Sequence, residues 1–91
     1  MKNDELINSE VSTRAPDQLG IALSRFRHQA GTTQVALAKK AGLRQATISK
    51  TEKGVGSTEV GTIFAICAAL GLEIILRPRE RTVDFRPDEL F

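Results

Sequence analysis

Four glycines constrain this chain more than any other feature. Gly31, Gly42, Gly54 and Gly71 each close a short run of apolar residues at helical spacing. Glycine tolerates the left-handed turn that ends helices, so these positions cut the chain into helix-length pieces. Leu19, Ala22, Leu23, Phe26 and Ala30 predict a first helix over 16–30, with Pro16 at its opening, where a missing N–H costs nothing. Val35, Leu37, Ala38 and Ala41 predict a second over 33–41, which Thr32 or Thr33 can cap. Ile48 anchors a third over 44–53. Val60, Ile63, Phe64, Ile66, Cys67 and Leu70 predict a fourth, with Ser57 or Thr58 as its cap. That last run is apolar on more than one face, so it is either buried or covered by another subunit.

Beyond Leu72 the pattern changes. Glu73-Ile74-Ile75-Leu76-Arg77 favours a strand, and Pro78 stops it. A lone strand is not stable, and the chain offers no second one of quality. The simplest partner is the same strand of a second copy, giving an antiparallel ribbon across a two-fold axis. The expected organisation is a flexible arm over 1–13, a helical domain over 14–72, a dimerisation strand over 73–77 and a flexible tail over 78–91.

At 91 residues the chain makes one small domain. A domain of this size buries only about 60% of its unfolded surface and gains from a partner subunit. One cysteine permits no internal disulfide, and one histidine beside it makes a protein zinc site improbable. Met1 to Glu10 contains no secretory apolar run, and Ile63 to Leu72 is too short to span a bilayer. The expectation is a soluble cytoplasmic protein without a cofactor. Net charge is only +2, but it is unevenly placed. Residues 14–53 hold eight basic residues (Arg14, Arg25, Arg27, Lys39, Lys40, Arg44, Lys50 and Lys53) against Asp17 and Glu52. A basic middle between neutral or acidic ends is the footprint of a nucleic-acid face, although a solvated helical surface gives the same balance.

The segment from Gln34 to Lys50 distinguishes these readings. Two short helices crossing through a tight turn need a small residue at their contact, a glycine in the turn and apolar locks on both sides. Ala38, Gly42, and Leu37, Leu43 and Ile48 supply these. The outward face of the following helix then carries Gln45, Ala46, Ser49 and Lys50, short or polar side chains that reach base edges in a major groove.

Here the sequence resembles the Xre/Cro-like helix-turn-helix repressors. The match rests on Thr33-Gln34, Leu37-Ala38, Gly42, Gln45-Ala46-Thr47-Ile48-Ser49, Glu52-Lys53-Gly54 and Ala68-Ala69-Leu70-Gly71-Leu72, and covers residues 16–72. One departure is Thr51, where the family places a bulky apolar or aromatic residue. A threonine there is expected to weaken the packing of the third helix. The run from Ala38 to Ser49, followed by the strand and a short charged tail, is similar to HipB-type antitoxins. The resemblance implies an all-α, Cro/repressor-like helix-turn-helix fold with a short C-terminal strand pairing across a homodimer. It also implies an autorepressor that binds a palindromic double-stranded operator and restrains a HipA-type Ser/Thr kinase toxin. A stand-alone phage-like repressor and a module that mainly docks the kinase are the alternatives.

The residue roles follow. Gln45 is the leading candidate for base readout, since its amide matches adenine N6 and N7. Ala46 suits a thymine methyl. Arg44, Ser49 and Lys50 are further base-contact candidates. Thr33, Gln34, Thr47 and Lys53 are candidates for phosphate, which sets register without reading sequence. The resemblance implies an ion pair between Arg27 and Glu52, fixing the third helix against the first. Phe64, Ile74, Ile75 and Leu76 are the expected dimer contacts. His28 reads as a surface histidine and Cys67 as an inert core thiol. Ser49 has no His–Asp companions, and neither a phosphate loop nor a metal cluster is present, so no enzyme is expected.

Overall fold

The computed structural model describes residues 10–79. Expectations for the arm before residue 10 and the tail after residue 79 lie outside the described residues. Four helices fill the described part: α1 (Pro16–Gln29), α2 (Gln34–Ala41), α3 (Gln45–Glu52) and α4 (Val60–Leu70). All four lie where the apolar spacing puts them, with ends within two residues of expectation.

The ends have local causes. Pro16 takes the first helical position of α1. Thr33 caps α2, its Oγ1 accepting from the Ala36 N–H at 3.1 Å. Arg44 precedes α3 in an extended conformation (φ −84°, ψ 149°) and serves as its N-cap rather than its first residue. The start of α4 differs from expectation. Its N-cap is Glu59, and no side chain caps it. The Thr58 hydroxyl instead donates back to the Val55 carbonyl at 2.8 Å, closing the preceding loop.

α2 packs against α3 and α4, and α1 closes over α3 and α4. The buried centre comprises Leu23 of α1, Leu37 and Ala38 of α2, Ile48 of α3, and Ile66 and Cys67 of α4. Ile48 is 0% exposed. Every helix thus contributes to one core, and α3 is held in it chiefly by Ile48.

Thr51 leaves space beside it, as expected of a short residue there: it lines an open cavity of about 250 Å³ together with Leu19, Val55 and Ile63. It is 3% exposed, and its hydroxyl donates to the Thr47 carbonyl at 2.8 Å. The backbone at this point is tight against Gly20 of α1. A Cβ on Gly20 would come within 2.6 Å of the Thr51 carbonyl oxygen and 2.5 Å of that of Glu52. Gly20 thus lets the two backbones meet, while the threonine side chain leaves the cavity beside it unfilled.

The strand expected over 73–77 is not formed. The described residues contain no strand, and 72–79 runs as irregular chain. A ladder needs a second backbone, and a single chain supplies none. Ile74 and Ile75 are exposed, and Leu76 is 93% exposed. Arg77 nevertheless ties this segment to the N-terminal end, donating to Glu10 Oε1 at 3.0 Å and to Ser12 Oγ at 3.2 Å.

Candidate nucleic-acid interface

The junction between α2 and α3 sets the geometry. Gly42 adopts a left-handed conformation (φ 73°, ψ 32°), which side-chain-bearing residues seldom adopt. Its N–H returns to the last turn of α2, and the Leu43 N–H donates to the Ala38 carbonyl at 2.8 Å. The Leu43 side chain packs on the core. The chain therefore leaves α2 in a fixed direction and enters α3 through the extended Arg44.

α3 has two distinct sides. Ile48 and Thr51 are buried, whereas Arg44, Gln45, Ala46, Lys50 and Lys53 are exposed. Ser49 and Thr47 are half-buried at the margins. Four of the five residues expected to read bases are thus exposed on this helix and its N-cap, and Ser49 lies half-buried beside them. Of the phosphate candidates, Thr33 and Gln34 open α2. Thr33 is exposed with its oxygen spent on the cap, and Gln34 is half-buried.

The structure brings Gln34 and Gln45 together, a contact the sequence did not reveal. Gln45 Nε2 donates to Gln34 Oε1 at 2.6 Å. Gln34 Nε2 in turn donates to Glu52 Oε1 at 3.0 Å. The N-terminal ends of α2 and α3 therefore lie side by side, which puts one phosphate candidate, Gln34, against one base candidate, Gln45.

Arg27 and Glu52 meet beneath that edge. Arg27 Nε donates to Glu52 Oε2 at 2.6 Å, and Nη2 donates to Oε1 at 3.1 Å. The remaining nitrogen, Nη1, donates to the Thr32 carbonyl at 3.0 Å. The two side chains are only 9% and 8% exposed. Such forked pairing is stronger and more directional than a single contact. Burial pushes the Glu52 carboxyl upward, but the Arg27 and Gln34 hydrogen bonds and the Arg27 charge together hold it below its usual range. Its hydrogen bond to Glu52 raises Arg27 despite the opposing effect of burial. Glu52 is therefore ionised at neutral pH, and its charge is compensated within the protein. The one carboxylate on α3 does not oppose an approaching polyanion, while Lys50 and Lys53 remain accessible.

Other candidates do not join this edge. His28 Nδ1 lies 2.8 Å from the Ser24 carbonyl on the exposed side of α1. Cys67 is buried, and burial raises its thiol, the opposite of a reactive thiolate. Among the described residues no cluster of metal-ligating side chains occurs, and no helix is long and apolar enough to cross a membrane. Phe64, Ile74, Ile75 and Leu76 are all exposed in the single chain.

One residue, Gly20, and one set of contacts, those of Gln34, were not visible in the sequence. Gly20 sets the spacing of α1 from α3, and its one available signal was a glycine inside an otherwise regular helical run. Gln34 couples Glu52 to Gln45, and no sequence pattern marks an amide relay between residues 11 and 18 positions apart.

Comparison with known proteins agrees with this geometry. The family model described as helix-turn-helix matches residues 23–76. Antitoxin HipB of Escherichia coli K12 is 44% identical over 62 residues, covering 68% of this chain and 70% of that protein. Antitoxin HipB of Escherichia coli O6:H1 is also 44% identical over 62 residues, and the match spans 66% of its length, just under two thirds. Among solved structures, a chain of a HipA–HipB–O2–O3 complex matches with a TM-score of 0.73 at 38% identity, over 78% of this chain and 100% of that one. A HipB–O4 20mer complex matches with a TM-score of 0.74 at 38% identity, with the same coverage.

Proposed function

Because the chain belongs to the HipB-type branch of the helix-turn-helix family, we propose that it is a DNA-binding antitoxin that represses transcription from a palindromic operator as a homodimer. The members of this family are DNA-binding regulators, not enzymes. The observation that carries the proposal is the two-sided character of α3. Ile48 and Thr51 are buried in the core, while Gln45, Ala46 and Lys50 are exposed and Ser49 lies half-buried at their margin. In this reading α3 enters a major groove, Gln45 reads a base, and Thr33, Gln34, Thr47 and Lys53 face phosphates. Binding is then steeply salt-dependent, since each neutralised phosphate releases counterions.

The dimer supplies the symmetry. Residues 73–77 pair with the same segment of a second copy, and Ile74, Ile75 and Leu76, exposed in the single chain, are covered there together with Phe64. Two recognition helices then reach successive major grooves about 34–36 Å apart. The partner in the second activity is a HipA-type kinase toxin, which the dimer restrains. One solved relative, a complex containing both HipA and HipB, supports this assignment.

Replacing Gln45 and Ser49 together by alanine tests both activities. The probe is a duplex taken from immediately upstream of the protein's own reading frame. The double variant is expected to lose roughly 5- to 150-fold in affinity, the equivalent of one lost bidentate base contact of about 1–3 kcal/mol. It should still capture the kinase in a pull-down. Undiminished binding to that duplex, or joint loss of duplex and kinase, contradicts the assignment of α3 as the reading helix.

A further inference from the structure

The geometry points to Glu52 as a positioning residue that selects adenine over guanine at the base pair read by Gln45. The inference rests on the DNA-reading function proposed above and adds a determinant that never touches the DNA. An ionised carboxylate only accepts hydrogen bonds. Gln34 must therefore turn its amide nitrogen toward Glu52, as the 3.0 Å contact records. That leaves the Gln34 oxygen facing α3, and an amide oxygen also only accepts. Gln45 must answer with its own nitrogen, which it does at 2.6 Å. The polarity of each amide is thus dictated by the one before it, starting from the charge on Glu52. Arg27 secures that start, because its fork holds both carboxylate oxygens in a site that water scarcely enters.

The end of the relay matters for recognition. With one N–H committed to Gln34, Gln45 retains its oxygen and its second N–H. Adenine presents a donor at N6 and an acceptor at N7 in the major groove, which this edge complements. Guanine presents two acceptors, O6 and N7. A Gln45 amide turned the other way would offer its oxygen to Gln34 and two N–H groups outward, and would suit guanine. Without an acceptor-only group at 52, Gln34 can turn over, and Gln45 with it. Both orientations then become available, and the choice between the two purines is lost.

Selection from a random-sequence duplex pool tests this, using the full chain at low ionic strength. Wild type is expected to enrich adenine at one position per half-site, and Gln45→Ala identifies that position by losing the preference. The informative variant is R27M/E52M. It replaces the buried pair by apolar side chains of similar reach, an exchange that is often neutral for folding, and far-UV circular dichroism verifies the fold. At the Gln45 position its adenine-over-guanine preference is expected to drop from roughly 5- to 150-fold to about threefold or less, with preferences elsewhere retained. Adding Gln34→Glu to that variant restores an acceptor-only group facing Gln45, and adenine preference should return at a lower overall affinity. A purely structural Glu52 would move neither readout.

Full adenine preference in folded R27M/E52M overturns the inference, as does failure of the triple variant to restore it. Wild-type enrichment of a base other than adenine at the Gln45 position overturns it too, while leaving DNA recognition intact. A wild-type protein that enriches no sequence overturns the DNA-reading function itself.

Discussion

Arg27→Met is expected to lower the free energy of unfolding by about 3–5 kcal/mol, because it strands an ionised carboxylate in a nearly dry site. Glu52 is 8% exposed on its side chain, and Arg27 is the only cation in hydrogen-bond contact with it among the described residues. Gln34 still donates one hydrogen bond, but a neutral amide does not compensate the charge. Domains of this size hold only about 5–15 kcal/mol in total, so the variant sits near the edge of folding. The pair itself is a different quantity from the damage done by halving it. Removing both charges in R27M/E52M is expected to return stability to within about 1 kcal/mol of wild type, since desolvation of two ions offsets most of their attraction. Urea denaturation followed by far-UV circular dichroism separates the two. A single variant within about 1 kcal/mol of wild type would show that the ion pair does not bind α1 to α3.

Ile48→Ala is expected to cost about 2–5 kcal/mol, whereas Ile48→Val should cost only about 0.5–1.5. Ile48 is fully buried among residues of the other three helices. α3 has eight residues, too few for an isolated helix to persist in water. Its orientation therefore comes from packing, and Ile48 supplies most of the apolar part. For a domain of this size the alanine variant should melt about 10 °C or more below wild type. Thermal denaturation of both variants checks the result. A melting temperature for Ile48→Ala no lower than for Ile48→Val would mean that α3 is held by something other than this core.

The helices were legible in the sequence because their causes are local. Gly31, Gly42, Gly54 and Gly71 all carry the positive φ of helix-ending turns, and the apolar residues between them face one core. What the sequence hid depends on how far apart two helices lie. The close approach of Gly20 to the Thr51 carbonyl was hidden because the two sit 31 positions apart on different helices. A residue without a side chain is what lets the two backbones meet there. The amide relay was hidden for the same reason. Gln34 and Gln45 were each assigned to DNA by position, but their mutual contact exists only once Gly42 has set the crossing of α2 and α3. The strand at 73–77 differs again. Its β-favouring composition is plain, yet its hydrogen bonds require a second backbone, so the single chain leaves it irregular. Capping of α4 failed at a smaller scale, because Thr58 had a nearer acceptor in Val55.

The proposal that α3 lies in the major groove is tested most directly by dimethyl sulfate protection on the duplex upstream of the protein's own reading frame. The reagent methylates guanine N7 in the major groove and adenine N3 in the minor groove. Protection of guanine N7 is expected in two patches about one helical turn apart, related by a two-fold axis, with adenine N3 still reactive inside each patch. Protection confined to adenine N3, or a single patch without symmetry, would contradict the account.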